Sequence, residues 1–117
     1  MPDAPIHNGE MAAAISVETV KALAEYTGRG PTRARTTMAD NAIFVVVEDS
    51  LTKGERSLAD NGDHQTVLDL RRKWQSIMRA DLSATIEKII GREIIGFMSD
   101  NHIEPDLGVE VFILKPI

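Results

Sequence analysis

Apolar positions along the chain switch between two periods, and the switches mark out the elements. From about Asn8 to Thr27, Met11, Ile15, Val20, Leu23 and Ala24 recur at helical spacing. Gly28 follows as a residue that takes the left-handed conformation ending a helix. Two extended segments come next, Ala34–Ala39 and Ala42–Glu48, separated by the turn pair Asp40-Asn41. The run Ala-Ile-Phe-Val-Val-Val-Glu is the clearest strand, because β-branched side chains suit the pleat. Thr52 with Glu55 three residues later forms a capping-box pattern that opens a short helix to about Ala59. Asn61-Gly62-Asp63 breaks the chain. A long helix is predicted from Asp63 to Ile90, with Val67, Leu70, Trp74, Ile77, Met78, Leu82, Ile86, Ile89 and Ile90 on its apolar side. Gly91 ends it. Strands follow at Ile94–Ser99 and Val109–Lys115, with a polar loop over 99–108 between them.

This order, helix–strand–strand then helix–strand–strand, predicts an α+β fold: a four-stranded, mainly antiparallel sheet packed by two main helices. A loose N-terminal segment is expected over residues 1–7, and one domain over 8–117. Each half has a helix ending in Gly-Arg (Gly28-Arg29, Gly91-Arg92) and later an Asp-Asn pair (Asp40-Asn41, Asp100-Asn101). These signals are generic. They still raise the idea of a pseudo-twofold internal repeat, in which 8–49 and 63–115 superpose.

The strands do not alternate as a sheet with one wet face should. Ile43, Val45 and Val47 point one way, and Phe44 and Val46 the other. Val109, Val111 and Ile113 oppose Phe112 and Leu114. Either the helices divide between the faces or one face meets another subunit, and a symmetric homodimer is the expectation.

Composition narrows the function classes. The chain has 117 residues and no cysteine, so disulfides and thiolate metal sites are excluded. The lack of cysteine also suits a reducing compartment. A start without a basic region or long apolar run argues against a signal peptide. The longest apolar runs fall far short of the roughly 20 residues of a membrane span. The expected protein is therefore soluble and cytoplasmic, with no direct membrane insertion. A net charge of −5 and 4% aromatic residues speak against nucleic-acid binding.

Two clusters are candidates for chemistry. Arg29, Arg33 and Arg35 surround Gly30-Pro31-Thr32, where guanidinium forks, glycine amides and a hydroxyl suit a phosphate or carboxylate. The spacing matches neither a P-loop nor a dinucleotide fingerprint, and the bland alternative is a turn whose arginines pair with surface carboxylates. The second cluster is Asp100, Asn101, His102, Glu104 and Asp106. It has the groups for a divalent cation or for acid–base work, yet fits no calcium loop and is weak for zinc. Its bland alternative is a loop held by Asx turns. Arg29, Gly30, Thr32, Arg33, Arg35, Asp100, Asn101, His102 and Asp106 thus form the candidate ligand-binding set. No catalytic residue, metal or cofactor is assigned.

Three segments also carry a family resemblance: Tyr26-Thr27-Gly28-Arg29-Gly30-Pro31-Thr32-Arg33-Ala34-Arg35, Glu48-Asp49-Ser50-Leu51-Thr52-Lys53-Gly54-Glu55-Arg56 and Ser99-Asp100-Asn101-His102-Ile103-Glu104-Pro105-Asp106. In that order, the chain from about 12 to 115 resembles the MpsC family, named after a component of a sodium-translocating, membrane-potential-generating system. The resemblance implies a short soluble protein associated with membrane subunits that carry cations or inorganic carbon. It carries over no catalytic residue. Three functions compete on this basis. The first is a non-catalytic accessory protein, peripheral to the inner membrane through a translocation subunit. The second is a sensor of small anions or nucleotides built on the arginine loop. The third, ranked last, is an enzyme with His102 as base and Asp106 orienting it.

Overall fold

Both helical layers lie on the same side of the sheet, and the arrangement follows from which strand positions the helices cover. The computed structural model describes residues 4–117, with side-chain surroundings from residue 9 onward. Its elements are α1 (Ala4–Thr27), β1 (Arg33–Met38), β2 (Ala42–Glu48), α2 (Lys53–Asp60), α3 (His64–Ile90), β3 (Ile94–His102) and β4 (Leu107–Leu114). The expected loose segment over 1–7 falls outside the described residues for 1–3, and the chain is already helical at Ala4.

The local signals behave as their chemistry requires. Thr52 Oγ1 accepts from the Glu55 amide at 3.1 Å and Glu55 Oε1 from the Thr52 amide at 2.8 Å, closing the capping box. Gly91 ends α3 at φ 67°, where a side chain would be strained. Asp63 stands at the N-cap of α3 without a side-chain cap bond, and its Oδ1 instead accepts from the Thr66 hydroxyl.

The sheet has the order β1-β2-β4-β3, with every neighbouring pair antiparallel. The polar loop expected over 99–108 is mostly strand. Pairing continues to His102↔Leu107 and leaves 103–106 as the turn, because Asn101 sits opposite Gly108 and completes the ladder. Gly108 is needed there: a Cβ would lie 2.9 Å from Val47 Cγ2 and 3.1 Å from Asn101 Nδ2.

The main core fills the space between helices and sheet, and a smaller cluster of Leu51, Ala59 and Val67 lies beneath α2. Ile15 and Leu23 of α1, Met78, Leu82 and Ile86 of α3, and Ile43, Val45, Phe112 and Leu114 of the sheet are buried together. Phe97 packs on Phe112 with ring centroids 5.1 Å apart. The N-terminal half of α3 departs from the expected stripe. Arg71 and Gln75 face inward there and are buried, whereas Trp74 is half-buried and Ile77 is 59% exposed. Buried polar partners explain the exchange: Arg71 bonds Glu55 and the Ser50 carbonyl, and Gln75 donates to Asn101 Oδ1 at 2.7 Å.

Among the described residues no helix packs across the opposite sheet face, although α1 borders it at the β1 edge, where Ala12, Ala13, Arg35 and Val46 line a groove. Phe44 is 39% exposed and Met98 55%, and Val109, Val111 and Ile113 are only partly covered.

The two halves use their arginines alike. Arg29, just after the left-handed Gly28, donates to the carbonyl of Asp49, the residue after β2. Arg92, just after the left-handed Gly91, donates to the carbonyl of Lys115, the residue after β4, at 2.9 Å.

Candidate functional site

The three segments that carry the family resemblance meet at one end of the sheet. Pairing β1 with β2 and β2 with β4 brings Thr32, Glu48 and Leu107 to that end, so the residues following them become neighbours. Asp49 sits at the centre. It holds a left-handed backbone (φ 58°), which aspartate tolerates better than most residues. Its carboxylate receives Arg29 Nη2 at 2.9 Å and also the Arg56 guanidinium. Arg56 bridges on to Asp106 Oδ2 at 2.8 Å. That same oxygen accepts from the Leu51 amide at 3.0 Å, and the Asp49 amide donates to the Asp106 carbonyl. The chain Arg29–Asp49–Arg56–Asp106 thus ties the helix–strand loop, the start of α2 and the β3–β4 turn together. Arg29 holds the Asp49 carboxyl below the usual carboxylate range, chiefly through its hydrogen bond.

Behind this surface network lies a buried polar layer. Glu55 and Arg71, 3% and 2% exposed, pair through Nε and Oε2 at 2.8 Å. Glu55 thereby acts twice, as a cap of α2 and as the counter-ion that lets an arginine enter the interior. Glu110 of β4 is equally buried, 2% exposed, and its Oε2 has no hydrogen-bond partner. Burial pushes its carboxyl up to about 7, with Ser99 and Arg71 pulling the other way. Ser99 sits opposite Glu110 in the β3–β4 pairing, close enough to ease the shift, but its hydroxyl makes no hydrogen bond of ordinary geometry.

The residues singled out from the sequence therefore separate. Arg29 and Asp106 are brought into one network, and Asp49 and Arg56, which spacing did not single out as ligand residues, complete it. Gly30 is there for close packing, since a Cβ would lie 3.2 Å from Val20. Thr32 donates its amide to the Glu48 carbonyl. Arg33 pairs with Glu48 at 3.5 Å. Asn101 is held by Gln75, and His102 Nδ1 lies 2.8 Å from the Pro105 carbonyl. Arg35 and Asp100 stand exposed on the uncovered face, at opposite edges of the sheet. Among the described residues no group of three or more His, Asp or Glu side chains is placed to hold a metal ion.

The family model for the Na+-translocating membrane potential-generating system (MpsC) matches residues 7–116. The chain belongs to the MpsC family. Comparison with curated proteins and with solved structures returned no match. Among the described residues of this MpsC protein, no helix is long and apolar enough to cross a membrane. Much of the polarity in its three recognisable segments goes into holding those segments to one another.

Proposed function

We propose that this MpsC protein is a non-catalytic accessory or regulatory component of a membrane cation- or inorganic-carbon-translocation system. It works from the cytoplasmic side and is held at the inner membrane by a membrane-embedded subunit. The family match over residues 7–116 carries the association with a translocation system, and the mutual neutralisation of Arg29, Asp49, Arg56 and Asp106 favours a non-catalytic role within it. Groups bound to each other in this way build a rigid end to the molecule and are poorly placed to bind substrate or move protons. The lack of a spanning helix among the described residues supports the same reading. The anion-sensor alternative keeps one arginine, Arg35, beside a groove of about 440 Å³ lined also by Ser16, Thr36 and Thr37. Ser16 and Thr36 already share a hydrogen bond at 2.7 Å, which weakens that alternative.

The test is generation of a sodium-dependent membrane potential in vesicles from cells lacking the protein, read with a potential-sensitive dye. The potential should fall, and adding the purified chain should restore it. A full potential without the protein would overturn the proposal.

A further inference from the structure

One row of the uncovered sheet face carries opposite charges at its two edges and so matches itself when turned over; the adjacent row, Arg33, Glu48, Leu107 and His102, does not, and its Arg33 and Glu48 already pair with each other. Strand register arranges the outward side chains in these rows. The self-matching row runs Arg35, Val46, Val109, Asp100, from β1 across β2 and β4 to β3. The next runs Thr37, Phe44, Val111, Met98. The first row is thus a pair of valines with a cation at one edge and an anion at the other. Neither Arg35 nor Asp100 belongs to an ion pair among the described residues. They cannot meet within one chain, because three strand spacings, roughly 14 Å, separate them.

We propose that a second copy of this chain covers the face. The two sheets pack face to face about a twofold axis parallel to the strands, with Arg35 of each chain against Asp100 of the other. That axis keeps each row in place and reverses its direction, so β1 lies over the partner's β3 and valine meets valine. Stacked sheets sit about 10 Å apart, a gap that an extended arginine and an aspartate span together. A twofold axis across the strands would instead lay β1 over the partner's β1 and leave Arg35 of each chain far from Asp100 of the other. Val46, Phe44, Val109 and Val111 supply the apolar contact at the centre of the face, and toward the β3 edge a hollow of about 340 Å³ is lined by Val46, Leu107 and Val109 together with Asp100, Asn101 and His102. This pairing goes beyond the accessory role and stands whether or not a membrane partner exists.

The test uses the full chain and mass measurement by light scattering at micromolar concentration. The wild type should have twice the 12.9 kDa chain mass. Val111→Asp should be monomeric while keeping its circular dichroism spectrum. Arg35→Asp and Asp100→Arg alone should each weaken the dimer by about tenfold or more, since like charges then face each other. Mixing these two variants should restore dimers, because the mixed pair regains both opposite-charge contacts. A monomeric wild type would overturn the proposal, and so would a dimer indifferent to Val111→Asp or a mixture no tighter than its parts. None of these readings depends on membrane-potential activity, so the two proposals fail separately.

Discussion

Glu110 is the residue whose surroundings are hardest to satisfy. It sits in the ladder between Val109 and Val111, in a strand whose other inward neighbours are Gly108 and Phe112. An isolated buried carboxylate is costly, so the neutral form is favoured and the pKa rises. The sign for stability follows. The folded carboxyl binds its proton more tightly than the unfolded one, so its contribution is fully present below about pH 4.5. That contribution is lost as pH rises through about 7. Glu110→Gln removes the titration. Urea denaturation between pH 4 and 9 should show the variant gaining on the wild type as pH rises, by at most about 3 kcal/mol. An equal pH slope in both proteins would mean that Glu110 is charged and paired inside.

At the scale of elements, α2 and α3 are joined by one buried ion pair, and the capping box makes that pair part of the helix start. Thr52 fixes Glu55 and Glu55 fixes Arg71, so the entry of α2 sets the inward face of α3. Breaking the pair from one side leaves an uncompensated charge. Arg71→Leu should cost about 3–5 kcal/mol. Adding Glu55→Gln should recover much of that loss, because glutamine can still close the capping box and carries no charge. Denaturant midpoints of the single and double variants check this, and a double variant no more stable than Arg71→Leu alone would refute it. The ends marked by glycines and caps were legible in advance because those signals are local, whereas the extension of β3 and β4 through the polar stretch around Asn101 and Gly108 was not. Nor was the inward turn of Arg71 and Gln75. Helical spacing identifies a stripe through Leu70, Trp74 and Ile77, and only the partners waiting at Glu55, Ser50 and Asn101 select the neighbouring stripe.

For the whole molecule, the two-sided apolar strands signalled an uncovered face, and the structure put both long helices on the other one. A face-to-face dimer has a thermodynamic signature, because association stabilises the folded chain by mass action. The apparent melting temperature of the wild type should rise with protein concentration, and that of Val111→Asp should not. Differential scanning calorimetry over a hundredfold concentration range measures both, and a wild-type transition independent of concentration would remove the dimer. The candidate site was legible in pieces. Arg29 and Asp106 were marked by residue type, but Asp49 and Arg56 gained their roles only when three distant segments were brought to one end of the sheet.

By itself the sequence determined the order of the elements and the greasiness of both strand faces, since these depend on near neighbours along the chain. Tertiary structure decided which face the helices cover, which charges neutralise one another and which polar side chains go inside. Those outcomes depend on contacts between residues tens of positions apart, such as Arg29 with Asp49 and Arg56 with Asp106, and local periodicity carries no record of them.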